Sequence, residues 1–289
     1  MGVDTTPQAE AEAVPASDAP LLDRAGERDS FARTVAAMYG YRELLKNLVA
    51  KDLKLKYRGS VLGFLWSLLN PLLMIAVYTV AFTYILRVHV ESFVFYLMIG
   101  ILAWTFFANS LAMATGAIID NAGLVKSVFF PRAILPIAVV LFNFAQYLLT
   151  TLVFLPLMLV IYHVPLSAPM LLFPVFLALQ LVFTIGIALM LSTATAFFRD
   201  VRHFLEIGLA ALFWLTPIVY QFDQISPRLR TAILMSPMSP YIVSYQEMFF
   251  YGQWPGPAVW MLAAGYALFA LAGGMALMLR HEEQFSEQI

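Results

Sequence analysis

Six long stretches of this 289-residue sequence contain no Asp, Glu, Lys or Arg: 61–86, 92–119, 133–162, 164–198, 207–222 and 248–279. A bilayer core is crossed by about 20 consecutive apolar residues in a helix. Set to that length, the runs predict six transmembrane helices at about 61–86, 93–119, 133–161, 168–198, 204–222 and 257–279, the fifth taking in Glu206 at its edge. The chain is 61% hydrophobic and 12% charged, whereas soluble domains are about 45–50% apolar and about 25% charged. The expectation is an all-α membrane protein. With no cysteine, disulfides, thiolate metal sites and a cysteine nucleophile are excluded. A net charge of −1 gives no case for nucleic-acid binding.

The flanking segments read differently. Residues 1–30 are rich in Ala, Asp, Glu and Pro. That composition buries too little apolar surface to offset the entropy of ordering, so a disordered cytoplasmic tail is expected. Within 31–58, Tyr41, Leu44, Leu45, Leu48 and Leu55 recur at roughly helical spacing among Arg42, Lys46, Lys51, Lys54, Lys56 and Arg58. This is the pattern of a basic amphipathic helix lying in the membrane interface. The transmembrane domain then spans 59–280, followed by a short tail at 281–289. Between the last two spans, a run at about 231–251 is broken by Pro237 and Pro240, which predicts a re-entrant segment rather than a crossing.

Lys and Arg set the orientation. The basic residues before the first span, Lys126 and Arg132 between spans two and three, Arg199 and Arg202 between four and five, and Arg280 all fall on one side. Arg87, Arg228 and Arg230 fall on the other. Both termini are therefore expected in the cytoplasm.

Ion-coupled carriers place ionisable residues inside their spans. Here the interior polar residues are Asn70, Asn109, Asn143 and Gln146; none titrates, and interhelical hydrogen bonding accounts for them. A phosphate-binding loop needs a Gly-rich turn ending in Gly-Lys-Ser/Thr. Lys126, the one lysine after residue 56, has no such context. If ATP drives this protein, a separate chain hydrolyses it. The four histidines, at 89, 163, 203 and 281, are scattered, so no metal site is expected. Arg199 and Asp200 read as a charge pair capping a span at the cytoplasmic surface.

The connection "DNAGLVKSVFFPRAILP" has more content than a loop. Asp120 or Asn121 can cap a helix; Leu124, Val125, Val128 and Phe129 share one face; and Pro131 should end the helix, because the residue before a proline avoids helical angles. Arg132 then stands at the membrane border, placed to reach lipid phosphate or a partner's carboxylate.

The segments "LVAKDLKLKYRGSVLGFLWSLLNPLLMIAVYTVAF" at 48–82, "NAGLVKSVFFPRAILP" at 121–136 and "FFRDVRHFLEIGLAALFWLTPIVY" at 197–220 together resemble the membrane subunits of bacterial ABC-2 type exporters. The likeness extends from about 41 to 280 and is strongest to the branch that exports O-antigen, capsular polysaccharide and teichoic acid. It implies a homodimer paired with two ABC ATPase subunits, which bind the ATP and Mg; no cofactor is expected in this chain. It implies a bacterial inner-membrane location and a lipid-linked polysaccharide substrate. It also implies that 42–57 and a coupling helix carrying Asn121, Leu124, Lys126, Phe130, Pro131 and Arg132 contact the ATPase. The first and fifth spans would line a channel, with Tyr78, Tyr84, Phe213, Trp214 and Tyr220 as candidate lining residues; as aromatics they fit equally an interfacial belt. The segment before the last span would be re-entrant on the external side, although Ser236-Pro237 and Ser239-Pro240 stand where the family often has Asn-Pro. The basic residues at 54–58 are placed to attract a lipid-linked pyrophosphate, and the orientation rule alone also explains them. Export of a drug or lipid by the same fold, and secondary transport of a small hydrophobic solute, are the alternatives.

Overall fold

The computed structural model describes residues 40–59, 63, 65–85, 92–128, 130–222 and 225–285. The predicted tail 1–30, the start of the interface helix at 31–39, Arg87 and Phe129 lie outside these residues. The described chain is helical, with no strand among the described residues. In order, the helices are α1 (Arg42–Tyr57), α2 (Leu65–Thr79, continued by a π-helical turn Val80–Ile85), α3 (Phe93–Ala114), α4 (Ala117–Asp120), α5 (Ala122–Ser127), α6 (Ile134–Ile161), α7 (Phe173–Phe197), α8 (Val201–Leu215), α9 (Pro227–Leu234), α10 (Ser239–Phe249) and α11 (Pro257–His281). A 3₁₀ turn, Ala168–Leu172, leads into α7.

Five helices are long and apolar enough to cross a membrane: Leu65–Ile85, Phe93–Ala114, Ile134–Ile161, Ala168–Phe197 and Pro257–His281. With no water in the bilayer core to satisfy backbone groups, unbroken apolar runs of this length cross as helices, whose backbone bonds all close within the segment. The expected fifth span, 204–222, is not among these five: its residues fall in α8, 15 residues long, and in a turn at 216–222. Tyr96 of α3 fixes that turn by donating its hydroxyl to Tyr220 O at 2.8 Å and Pro217 O at 3.3 Å. Gln246 of α10 donates to the same Pro217 carbonyl at 2.7 Å.

The core is centred on α3, whose membrane window is 78% buried against 11% for Leu65–Ile85. On the other flank, α7 and α11 touch backbone to backbone. A Cβ on Gly186 would collide with the Ala270 backbone, and one on Gly274 with the Gly186 carbonyl. Ala263, Ala267 and Ala270 continue this small-residue stripe along α11. Close backbone approach of this kind holds helices together where lipid removes the hydrophobic drive. A buried polar bridge joins three further elements. Gln180 of α7 donates to Ala103 O of α3 at 3.0 Å and accepts from the Tyr245 hydroxyl of α10 at 2.7 Å. The proline-broken run forms α9 and α10, and every residue of α10 except Glu247 is buried.

Candidate functional site

At the end of the bundle that carries most of the Lys and Arg, a second apolar cluster joins α1, α4, α5 and the ends of the long helices. It contains Leu48, Ile118, Val125, Phe130, Ile134, Met275, Met278 and Phe285. Its existence follows from amphipathic spacing. On α1, Leu48 is buried and Leu44, Leu45 and Val49 are partly so, while Arg42, Lys46, Lys51, Lys54, Lys56 and Arg58 are exposed. Leu55, expected on the apolar face, is instead 55% exposed, because the periodicity drifts past the edge of the contact. Lys46 pairs with Glu43 at 3.0 Å and Lys51 with Asp52 at 3.5 Å, both on the helix surface.

The connection between α3 and α6 folds as two short helices rather than one. Neither Asp120 nor Asn121 makes a side-chain N-cap. The Asn121 amide turns back to donate to Ala117 O at 2.8 Å and so closes the end of α4. α5 ends at Ser127, before Pro131, because Val128 is already extended at φ −133°, ψ 138°. The apolar face is carried by Val125 and Phe130, buried at 4% and 1%, with Leu124 partly covered; Val128, expected on that face, is 49% exposed. The outward edge of α5 is Gly123, Lys126, Ser127 and Val128.

Two ion pairs tie this connection to distant elements. Arg202, in the first turn of α8, places Nη2 2.9 Å from Asp120 Oδ1. A Cβ on Gly116 would meet the ends of both side chains, so the pair would have to shift to admit one. Arg132 lies 3.9 Å from Glu282, just past α11, and its backbone N–H donates to Glu282 Oε1 at 2.8 Å. Its side chain is 12% exposed. Within this chain, Arg132 therefore faces the C-terminal segment, whose Phe285 is buried beside Phe197. The sequence reading missed Glu282 and Phe285. A signal existed in the acidic residues following the last span, Glu282, Glu283 and Glu287, but it does not name their partners. Arg199 and Asp200 are exposed at the α7–α8 corner. The Asp200 carbonyl accepts from the N–H of His203 and of Phe204, and the side chain makes no cap.

The channel-lining candidates fall into two groups. Tyr78 of α2 stacks on Phe213 of α8 with centroids 5.7 Å apart, and Trp104 meets Phe213 edge-on at 5.5 Å. Tyr84 and Trp214 point away from the protomer, 73% and 58% exposed. Tyr220 is half-buried and donates to Trp214 O at 3.0 Å. α8 has no buried residue, and α2 exposes Leu73, Val77 and Val80. These two helices thus form one aromatic-rich face that nothing covers among the described residues.

The chain matches the ABC-2 type transporter family over residues 43–250. It is 34% identical over 268 residues to the O-antigen export system permease protein RfbA of Myxococcus xanthus, covering 89% of this chain and 99% of that protein. Over 210 residues it is 33% identical to a protein of the same name from Klebsiella pneumoniae, covering 73% of this chain and 81% of the relative. Coverage on this scale, together with the all-helical architecture, places the chain in the ABC-2 type transporter family.

Proposed function

We propose that this chain is the membrane subunit of an ATP-driven exporter that moves a lipid-linked polysaccharide out of the cytoplasm. The observation that carries this reading is the match along 99% of a relative named as an O-antigen export permease. Two copies pair in a bacterial inner membrane with two ATPase subunits, which bind ATP and Mg. The chain crosses six times with both termini cytoplasmic, α8 and the turn after it making the fifth crossing. α9 and α10 form the external re-entrant segment. α1 lies in the interface as the basic amphipathic pattern requires, and α5 is the coupling helix.

The geometry gives this reading a mechanism. α5 is anchored inward by Val125 and offers Gly123, Lys126, Ser127 and Val128 outward, an edge suited to a groove on an ATPase. Movement of α5 passes to α8 through Asp120–Arg202 and to α11 through Arg132–Glu282. α8 and α2 carry the aromatic-rich face, so displacing α8 opens or closes a channel between two copies. Aromatic rings offer flat apolar surface to sugar C–H faces and polar tips to hydroxyls, which lets a polymer slide without strong trapping.

The test is purification from the native membrane in mild detergent, followed by mass spectrometry and a glycan-export assay in a deletion strain. A co-purifying soluble ATPase and restored surface glycan support the reading. A chain that purifies alone in several detergents, with surface glycan unchanged by the deletion, refutes it.

A further inference from the structure

The four interior amides, dispersed in sequence, converge. Asn70 of α2, Asn109 of α3, and Asn143 and Gln146 of α6 line one cavity of 260 Å³, which Lys56 at the end of α1 also lines. Asn143 and Gln146 are buried, at 5% and 8% exposure; Asn70 and Asn109, expected to be buried, instead stand exposed along the cavity. Pockets that hold drug-sized ligands run to about 300–1,000 Å³, so this one has room for a single headgroup and not for a length of polymer.

Its polar groups are left unsatisfied in a particular way. Gln146 Oε1 accepts from the Lys56 ammonium. Gln146 Nε2 is buried and has no acceptor among the described residues, whereas buried polar atoms ordinarily find a partner. The Lys56 ammonium is met by that neutral amide oxygen and by the Phe142 ring face at 5.7 Å; no carboxylate is among the residues lining the cavity. Lys56 is exposed along one side, but its ammonium is desolvated on the cavity side, and a cation with no counter-charge there carries a cost. Water can fill a polar cavity but cannot neutralise it. An anion can. Trp66, 50% exposed at the same cavity, adds a flat apolar face of the kind that sugar rings stack on.

We propose that this cavity binds the sugar-phosphate headgroup of a lipid-linked glycan. Lys56 holds the phosphate, and Asn109, Asn143 and Gln146 hold the first sugar. The assignment rests on the export reading and adds to it a recognition site inside one protomer, on α2, α3 and α6, separate from the α2–α8 face. Burial lowers the Lys56 pKa from its ordinary 10.5, in keeping with an ammonium that meets no carboxylate among the described residues lining the cavity.

Native mass spectrometry of the full-length protein tests this with three probes: a synthetic polyprenyl diphosphate carrying one sugar, the same lipid without the sugar, and phosphatidylglycerol. The wild type should prefer the sugar-bearing lipid. Lys56→Gln should weaken both diphosphate lipids by about tenfold or more, the scale of a lost charge-assisted hydrogen bond, and Lys56→Arg should restore most of it. Asn109→Leu, at an exposed position, should weaken only the sugar-bearing lipid. Gel filtration and thermal melting confirm that each variant is folded. Unchanged binding in both Lys56→Gln and Asn109→Leu overturns the site. Equal binding of phosphatidylglycerol overturns the glycan assignment and leaves a general phospholipid site. A wild type that supports glycan export in cells yet retains no sugar lipid refutes the cavity alone; failed export with binding intact refutes the export reading alone.

Discussion

Arg202 Nη2 lies 2.9 Å from Asp120 Oδ1, joining the first turn of α8 to the helix that leads into α5. Both side chains are substantially exposed, at 45% and 61%, and exposed pairs contribute only about 0.2–1 kcal/mol to stability. The pair therefore adds little to the stability of the fold, and in the proposed mechanism its part is to transmit movement. Asp120→Asn and Arg202→Gln should each lower export several-fold while thermal melting in detergent stays within a few degrees of wild type. The exchanged pair, Asp120→Arg with Arg202→Asp, should recover part of the loss. Export that is untouched in both single variants would remove the pair from the transmission route.

Arg132 is the contrasting case. Its side chain is 12% exposed and Glu282's is 22%, so water screens this pair less. Removing one partner of a fully buried pair costs about 3–5 kcal/mol, and the 3.9 Å separation argues for about 1–3 kcal/mol here. Arg132→Glu sets two carboxylates against each other. It should lower the melting temperature and export together, and Glu282→Arg in the same chain should restore both. Lost export with unchanged melting, not restored by Glu282→Arg, would instead assign Arg132 to a contact with another subunit.

The α7–α11 contact predicts a third outcome. A methyl group at Gly274 meets the Gly186 carbonyl, and one at Gly186 meets the Ala270 backbone. Neither neighbour is a flexible side-chain end that can move aside. Gly274→Ala and Gly186→Ala should each destabilise the protein by about 1–3 kcal/mol, the usual range for overpacking. Gly265→Ala, on the same helix with open space around its Cα, should be neutral. Melting temperatures of the three variants in one detergent decide the matter.

Much of this architecture is legible in the sequence. Unbroken apolar runs of this length point to helices because the backbone must satisfy itself within lipid, and the spacing of Leu124, Val125, Val128 and Phe129 predicts a short helix where a loop would suffice, although Val128 turns out exposed. Helical periodicity reports faces, however, and not which faces meet. Nothing local shows that Asn70, Asn109 and Gln146, on three different helices, open into one cavity, or that Arg132 reaches Glu282, 150 positions along the chain. The misplaced caps have the same origin. Asn121 has the right side chain to cap α5, but its Nδ2 donates back to the Ala117 carbonyl, and the side chain makes no cap on α5. Leu55 matches the spacing of Leu48 closely enough to mislead, since the residues that end a contact are set by the partner surface.

Lys56 supplies a prediction with a sign. Burial holds its pKa below the 10.5 of an unfolded lysine. Between the folded value and 10.5 the unfolded chain binds more protons than the folded one, so stability rises with pH across that interval. Below it, the charged form is fully present in both states and the cost of burying it is greatest. Lys56→Gln removes that cost and leaves every other titrating group in place. The melting temperature of wild type relative to Lys56→Gln should therefore be lowest near neutral pH and climb as pH approaches 10.5. Thermal melting of the two proteins in parallel, at matched ionic strength, reads the difference directly. A difference that stays flat with pH would mean that the ammonium is as well solvated as in the unfolded chain, and would remove the uncompensated cation on which the anion site depends.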